Sequence, residues 1–238
     1  MTISDSKYLD FLSKFGVGSA HPGGFNLTKE ILSFENINKT SRVLDVGCGT
    51  GRTAAYIASR YGANVTGMDI NPIMVKKARK RISRENLPVE ITQGSIESCA
   101  LKDQDFDFVL SESVLVFVHA PRALNEIFRL LKKGGRMIAI ELTLNYPLSP
   151  AGMDEIKKFY GFKSVLKEKE WGALLTQAGF KDIIIRRNNL PFPANQTQQE
   201  FHFSKFIETE LYTVMPQHFS LMQKYQGIID YRIITCTK

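Results

Sequence analysis

The sequence predicts an α/β fold, in which a mostly parallel, Rossmann-like sheet is covered by helices on both faces. Short β-rich runs alternate with helical patterns from residue 42 onward, and this alternation is typical of βαβ units in a parallel sheet. A glycine turn, LDVGCGTG at 44–51, lies between the first strand and the first helix of this series. The 238 residues suffice for one large α/β core with additions, and an apolar content of 43% is typical of a globular protein.

The predicted strands are short apolar runs bounded by polar or glycine-containing segments. They lie at 42–47, 64–69, 88–94, 105–113, 136–144, 181–187 and 228–238. Helical patterns occupy the intervals at 52–62, 71–86, 121–135 and 168–180. In the second of these helices, Asn71 is expected to be the N-cap and Pro72 the first helical residue. In the third, Leu124, Ile127, Leu130 and Leu131 form one apolar stripe.

Residues 1–41 are predicted to form a helical lid ahead of this core. The stretch GVGSAHPGG at 16–24 holds four glycines and one proline in a region that is otherwise helical. Such a stretch can act as a hinge between two helices, so that the segment closes over the carboxyl end of the sheet. An ordinary loop between helices is the alternative interpretation.

Two cap insertions are expected in the main domain, 42–238. The first, at about 145–166, contains prolines and does not continue the alternation of strand and helix. The second, at about 190–225, begins with a proline-containing loop and continues as a mainly helical stretch from Gln198 to Tyr225. Its aromatic residues line an acceptor pocket or belong to the core, and they are Phe192, Phe201, Phe203, Phe206, Tyr212 and Phe219.

The composition favours a cytoplasmic protein. The N-terminus lacks the basic and apolar regions of a signal peptide, and no segment reaches about 18 consecutive apolar residues. The three cysteines, Cys48, Cys99 and Cys236, have no CxxC spacing and no accompanying histidine cluster. We therefore expect reduced thiols and no metal site.

The net charge of +7 raises the question of a nucleic-acid partner. The densest basic run, KKARKRISR at 76–84, shares its helix with an apolar stripe formed by Val75, Ala78 and Ile82. Basic residues on such a helix usually form its solvated side. The sequence thus favours a solvated face over a nucleic-acid groove.

The glycine turn indicates a cofactor that contains adenosine. Its spacing is G-x-G-x-G, whereas dinucleotide-binding turns have G-x-G-x-x-G, and Arg52 stands where the third dinucleotide glycine would be. Asp45 lies inside the motif, and Asp69 ends the next strand. An acidic side chain at the Asp69 position can accept hydrogen bonds from both hydroxyls of a ribose.

Five motifs in sequence order resemble those of the class I S-adenosylmethionine-dependent methyltransferases. They are VLDVGCGTG, VTGMDINPIMVKKA, ITQGSIESCAL, FDFVLSESVLVFV and ALNEIFRLLKKGGRMIAIEL, which together span about 42–144. Among these enzymes, the chain is similar to the quinone-biosynthesis C-methyltransferases and their small-molecule relatives. The resemblance implies a seven-stranded sheet in the order 3-2-1-4-5-7-6 with strand 7 antiparallel. It also implies S-adenosylmethionine as the cofactor and S-adenosylhomocysteine as its product.

The resemblance further implies a set of cofactor-binding residues. They are Asp45, Gly47, Cys48, Gly49, Gly51, Asp69, Ile70, Ser95, Ile96 and Ser111. Asp69 would bind the ribose hydroxyls, Ile70 would lie against the adenine, and Ser111 would present its carbonyl to the amino group of the cofactor. Ser95 stands where many relatives have an acidic residue, and it carries no charge. Cys48 is interpreted as a small turn residue, because the motif offers no base or positive charge to activate a thiol.

Methyl transfer from a sulfonium is an in-line displacement, so alignment and exclusion of water supply much of the rate. A general base becomes necessary only when the acceptor atom must lose a proton. The candidates for that role are His21, Glu112, His119 and Glu141. Glu112 could alternatively pair with a surface base.

A small molecule is the expected methyl acceptor. The sequence has SESV where amino-methylating DNA enzymes have D/N-P-P-Y after strand four, and it has no Pro-Cys pair for methylation of cytosine C5. Two other hypotheses stay open, namely an RNA methyltransferase that uses the positive charge, and a cofactor-binding protein without methylating activity. The sequence leaves the oligomeric state undetermined.

Overall fold

The structure, a computed structural model, describes residues 6–187 and 199–238. The helices in these ranges are α1 (Lys7–Phe15), α2 (Gly24–Ser33), α3 (Arg52–Tyr61), α4 (Pro72–Glu85), α5 (Ala120–Leu130), α6 (Pro150–Tyr160), α7 (Glu168–Gln177) and α8 (Val214–Lys224). The strands are β1 (Val17–Gly18), β2 (Arg42–Val46), β3 (Asn64–Asp69), β4 (Val89–Gln93), β5 (Phe106–Glu112), β6 (Leu131–Leu144), β7 (Leu166–Lys167), β8 (Lys181–Arg186), β9 (Glu200–Phe201) and β10 (Ile229–Thr237). Short 3-10 helices lie at Leu115–Phe117 and Thr209–Thr213.

The main sheet has the order β4-β3-β2-β5-β6-β10-β8, and the short strand β7 pairs with β6. The first five strands in this order, β4, β3, β2, β5 and β6, pair in parallel with their neighbours. Strand β10 is antiparallel to both of its neighbours, β6 and β8. Numbering the seven long strands along the chain gives 3-2-1-4-5-7-6. The predicted fold class, strand order and antiparallel seventh strand are therefore confirmed.

Helices cover both faces of this sheet because each carries one apolar stripe. In α5, three members of the predicted stripe, Leu124, Ile127 and Leu130, are completely buried, and the fourth, Leu131, is buried just after the helix ends. The core on this face also contains residues of α6 and α7, while α2, α3 and α4 pack on the opposite face. The predicted cap is also present, since the Asn71 side chain accepts a hydrogen bond from the Ile73 amide at 2.9 Å.

Two predicted helical segments differ from the structure. The helix predicted at 121–135 ends at Leu130, because Leu131 is extended and pairs with Phe106 of β5. The stretch predicted as mainly helical from Gln198 begins outside the described residues. From 199 onward it contains β9, and it becomes helical only at Thr209.

The N-terminal segment is joined to the second cap insertion. Val17 pairs with Phe201 and Gly18 with Glu200, so β1 and β9 form a two-stranded antiparallel ribbon. This ribbon had no signal in the sequence, because each strand has two residues and its partner lies far along the chain. Further packing comes from a cluster that consists of Phe11, Phe15, Val17, Leu211 and Val214.

Two expectations about side-chain exposure were wrong. Arg81 lies within the basic run that was assigned to a solvated face, yet it is only 8% exposed because its guanidinium has partners inside the protein. The cap aromatics that the structure describes are not buried core, since Phe206 is 83% exposed, and Phe203, Phe206 and Tyr212 line an open pocket of the cap. Phe192 lies outside the described residues.

Within the described ranges, the helices are all too short or too polar to cross a membrane.

Candidate active site

The glycine turn follows β2 at its carboxyl end. Gly47, Gly49 and Gly51 have φ angles of 64°, 52° and 75°, which favour glycine because a Cβ atom would strain the backbone. A Cβ atom on Gly47 would lie 2.4 Å from Val114, and one on Gly51 would lie 3.1 Å from Ala78. A Cβ atom on Gly49 would meet nothing within 4 Å. Gly47 and Gly51 thus permit close packing, while Gly49 faces open space.

Asp69 fixes this turn against the end of β3. Its Oδ2 atom accepts a hydrogen bond from the Gly49 amide at 2.8 Å, and Oδ1 accepts one from the Asn71 amide at 2.8 Å. The residue is 8% exposed, and burial raises its pKa. Since a carboxylate has about four acceptor positions, the two oxygens keep capacity for further donors such as ribose hydroxyls.

Asp45 lies in β2 beneath the turn and is 2% exposed. Its Oδ2 atom has no hydrogen-bond partner among the described residues. Burial, followed by repulsion from Glu112 and Asp69, raises its pKa well above the ordinary value. The Ala54 amide binds this carboxyl group, but a buried oxygen without a partner in a group repelled by two other carboxylates is electrostatically unfavourable, so this site fits a positively charged ligand.

The remaining residues of the predicted cofactor set differ in accessibility. Ile70 follows Asp69 and is 36% exposed, whereas Ile96 is 3% exposed and belongs to the main core. Ser95 is buried, and its hydroxyl accepts a hydrogen bond from the Glu97 amide at 3.2 Å. Burial raises the pKa of the Cys48 thiol, which keeps that side chain protonated and unreactive.

Ser111 and Glu141 form a buried pair at the ends of β5 and β6. The Ser111 hydroxyl donates to Glu141 Oε1 at 3.0 Å, and the same oxygen accepts from the amides of Val114 and Leu115 at 3.1 Å each. Burial raises the pKa of Glu141 to about 7, although these donors act in the opposite direction. Glu141 thereby fixes the turn whose Val114 side chain packs on Gly47.

The structure brings His21 and Glu112 together, as two of the four candidate bases. Glu112 accepts hydrogen bonds from the hydroxyls of Thr28 at 2.5 Å and Thr53 at 2.8 Å. His21 Nε2 lies 3.3 Å from Glu112 Oε1 and 3.1 Å from the Thr28 hydroxyl, and Nδ1 lies 3.0 Å from the Pro22 carbonyl oxygen. This network joins α2 to α3 and to the end of β5.

His119 has a different environment. It is exposed and forms the N-cap of α5, where its Nδ1 atom accepts a hydrogen bond from the Arg122 amide at 3.4 Å. Its own amide donates to Glu97 Oε1 at 2.9 Å. These contacts give His119 a role at the start of α5.

Sequence reasoning missed two polar groups near the cap. Arg81 continues the apolar stripe of α4 three residues after Ala78, and that position is the signal that could have identified it as buried. The second group consists of the rings of Tyr8, Tyr160 and His218. Tyr160 Oη lies 2.9 Å from His218 Nδ1, and the ring of Tyr8 packs edge-on against that of Tyr160 with 4.8 Å between the ring centres. Burial raises the pKa of Tyr8 to about 12 and lowers that of His218.

Comparison with known proteins shows what this chain is similar to. A family model described as a methyltransferase domain matches residues 44–139. The "Uncharacterized methyltransferase YodH" of Bacillus subtilis (strain 168) is 36% identical over 236 residues, which cover 98% of this chain and 100% of that protein. Phosphoethanolamine N-methyltransferase 1 of Arabidopsis thaliana is 28% identical over 71% of this chain, and the match spans only 35% of the plant enzyme.

Solved structures show the same fold at low sequence identity. Haemonchus contortus phosphoethanolamine N-methyltransferase 2, in complex with S-adenosyl-L-methionine, superposes with a TM-score of 0.76 at 19% identity, covering 98% of this chain and 56% of that one. Geranyl diphosphate C-methyltransferase from Streptomyces coelicolor A3(2) gives a TM-score of 0.72 at 13% identity, covering 97% and 92%. With the glycine turn, the strand order and the full-length relative taken together, this chain belongs to the class I S-adenosylmethionine-dependent methyltransferases.

Proposed function

We propose that the protein transfers the methyl group of S-adenosylmethionine to a small-molecule acceptor. One observation carries the proposal, namely the buried Asp45 Oδ2 atom at the end of β2, which has no hydrogen-bond partner among the described residues and precedes a turn whose Gly49 faces open space. The cofactor contains an ammonium and a sulfonium group, and both would offset the negative charge of this site. A dinucleotide carries a negative pyrophosphate, which these carboxylates would repel.

Each element of the site has a role in holding the cofactor. Asp69 would accept hydrogen bonds from the ribose hydroxyls, and Ile70 would cover one face of the adenine. Gly49 permits close approach of the ligand to the backbone, and Asp45 would face the ammonium group. Ser111, Gly47 and Cys48 would line the methionine part, with Gly51, Ser95 and Ile96 supporting the turn and the adenine side. The bound cofactor supplies an activated methyl group, and S-adenosylhomocysteine is the product.

The acceptor would lie on the lid side of the sulfonium, between α2, the 145–166 insertion and the second cap. The names of the relatives support a small acceptor, because several are phosphoethanolamine N-methyltransferases. One solved relative also contains phosphomonomethylethanolamine together with S-adenosylhomocysteine. Alignment of such an acceptor within a site shielded from water would provide most of the rate acceleration.

Of the four candidate bases, we assign the proton-handling role to the His21–Glu112 pair. The pair joins the lid to the end of β5. The cofactor turn follows the neighbouring parallel strand β2 at the same edge of the sheet. Its test is the pH dependence of turnover in His21→Ala. A base role predicts lost activity with a changed pH profile, whereas a lid contact predicts an equal loss at every pH.

Calorimetric titration tests the cofactor assignment directly. S-adenosylmethionine and S-adenosylhomocysteine should bind, whereas NAD should not. Tighter binding of NAD would overturn the proposal. A screen of metabolite extracts with labelled cofactor then identifies the acceptor, and cofactor binding without transfer to any acceptor would favour a protein without methylating activity.

Asp69→Ala should weaken cofactor binding by about 1.5–3 kcal/mol, as expected for hydrogen bonds to a charged group. The variant removes both the ribose acceptor and the bond to the Gly49 amide. Glu90→Ala, an exposed acidic residue on β4, is the matched control and should bind as the wild type does. Unchanged affinity in a folded Asp69→Ala protein would remove Asp69 from the site.

The RNA methyltransferase alternative receives less support from the charge distribution. Arg79 donates to the Ile91 carbonyl, Arg81 pairs with Glu200, and Lys77 donates to the Lys14 carbonyl. These contacts engage part of the basic run within the protein. Tight, salt-sensitive binding of RNA would nevertheless favour that alternative.

A further inference from the structure

Arg81 touches the cofactor turn and the cap at the same time. Its Nε atom donates to the carbonyl oxygen of Thr50, inside the turn, at 2.9 Å. Its Nη2 atom lies 2.7 Å from Glu200 Oε2, in strand β9 of the cap. Because the guanidinium is planar and its donors have a fixed geometry, one contact constrains the other.

Glu200 gathers further partners around this contact. Arg52, the first residue of α3 after the turn, lies 3.4 Å from Glu200 Oε2, and its guanidinium lies 4.1 Å from the centre of the Phe25 ring of α2. His202 Nε2 lies 2.8 Å from Glu200 Oε1. Although partial burial acts to raise the pKa of Glu200, hydrogen bonds from Arg81 and His202 hold it below its usual range.

The two arginines share this carboxylate, and Arg81 also lies 3.4 Å from Glu85 Oε1 on its own helix. Burial lowers the pKa of Arg52, Glu200 acts to raise it, and the charge of Arg81 lowers it further. Withdrawal of Glu200 would therefore leave two partly buried positive charges close together without their shared counter-charge. The ion pair thus favours the state in which β9 lies against the turn.

Strand β9 also holds the N-terminal segment, since it pairs with β1. The amide of His202 donates to the carbonyl oxygens of Phe15 and Gly16, at 2.9 and 3.0 Å. Lys77 of α4 donates to the carbonyl oxygens of Lys14 and His202. The β1–β9 ribbon is consequently fastened to α4 beside the cofactor turn.

We propose that Arg81 is a positioning residue that couples closure of the β1–β9 ribbon to occupancy of the cofactor turn, with Glu200 as the counter-charge on the ribbon. The inference rests on the proposed function, because it takes S-adenosylmethionine as the ligand of the turn. A bound cofactor fixes the turn and the Thr50 carbonyl, which orients Arg81 toward Glu200. Linkage then requires that the closed ribbon favours cofactor binding to the same extent.

The test compares two carboxylates of the cap. Glu200→Gln removes the charge that pairs with Arg81, whereas Glu208→Gln removes a charge whose partner, Lys14, has no contact with the turn. Calorimetry should show that Glu200→Gln weakens S-adenosylhomocysteine binding by about fivefold to twentyfold. Glu208→Gln should bind within about twofold of wild type, since exposed ion pairs contribute little.

Hydrogen exchange provides the readout that a local structural role would not change. In the wild type, S-adenosylhomocysteine should slow exchange of the amides at 17–18 and 200–202, and in Glu200→Gln this protection should be lost. In an Arg81→Met background, Glu200→Gln should cause a smaller additional loss of affinity than in the wild-type background, where it breaks the Arg81 contact as well as the Arg52 contact.

The outcomes separate the two proposals. Wild-type protein that fails to bind S-adenosylhomocysteine would overturn the proposed function. Wild-type binding together with unchanged affinity and unchanged protection in Glu200→Gln would overturn the coupling and leave the proposed function intact. An equal loss in Glu208→Gln would also overturn it, because any cap charge would then suffice.

Discussion

The carboxyl group of Glu141 is completely buried and accepts three hydrogen bonds on one oxygen, while the other oxygen has no partner among the described residues. Such a group is destabilised when it is charged. Its hydrogen bonds go to Ser111 and to the amides of the turn after β5. Its protonation state therefore affects the position of that turn, whose Val114 side chain packs on Gly47. This environment separates it from the His21–Glu112 pair, which is bound to α2 through Thr28.

Glu141→Gln should change how stability depends on pH. In the wild type, the folded-state pKa of about 7 exceeds the ordinary value of 4.5, so stability falls as the pH rises through this interval. The variant lacks this titration, and its stability relative to wild type should increase across the interval by up to about 3 kcal/mol. Urea unfolding on either side of the interval measures the difference. Glu90→Gln should show no such trend, and a parallel profile for Glu141→Gln would contradict the assignment.

In the glycine turn between β2 and α3, the effect of a Gly49 substitution on ligand binding can be distinguished from its effect on backbone strain. Gly49 has a φ of 52° and Gly134, between α5 and the main part of β6, has a φ of 78°, and a Cβ atom on either would meet nothing within 4 Å. Alanine should therefore destabilise the fold by about 1–2 kcal/mol at both positions.

Only Gly49→Ala should also lose cofactor affinity, because its Cβ atom would project into the space that the proposal assigns to the ligand. Thermal unfolding and titration with S-adenosylhomocysteine, measured on both variants, check this expectation. Equal affinities for Gly49→Ala and Gly134→Ala would show that the open space at Gly49 is not used by the cofactor.

Across the whole molecule, the N-terminal segment and the second cap depend on each other more than on the sheet. Phe11, Phe15 and Val17 are buried against Leu211 and Val214 in a cluster separate from the main cores. A deletion of residues 1–24 should therefore leave the sheet folded and expose the apolar side of the cap.

Limited proteolysis of this deletion variant measures the dependence. Cleavage within 199–214 should become faster than in the full-length protein. In contrast, α5 and α7 should keep their resistance, because the buried residues of their core lie outside the deletion and Tyr8 only packs against its edge. Unchanged cleavage at 199–214 would show that the cap folds without the N-terminal segment.

The sequence alone determined the seven long strands of the main sheet, the glycine turn and the position of Asp69, because each depends on local features. Strand and helix periodicity extends over neighbouring residues, and the turn requires positive φ at Gly47, Gly49 and Gly51. The order of the strands came from the resemblance of five motifs to a known family. These local signals were sufficient to identify the cofactor class.

Only the tertiary structure decided how distant segments meet. The contact between His21 and Glu112, the pairing of β1 with β9, and the burial of Arg81 each join residues that lie far apart in the sequence. A charged residue on an amphipathic helix is normally solvated, and burial becomes favourable for Arg81 because Glu200 and the Thr50 carbonyl satisfy its donors. Local periodicity contains no information about such partners, so the β1–β9 ribbon and its contacts with the glycine turn form only when the chain is folded.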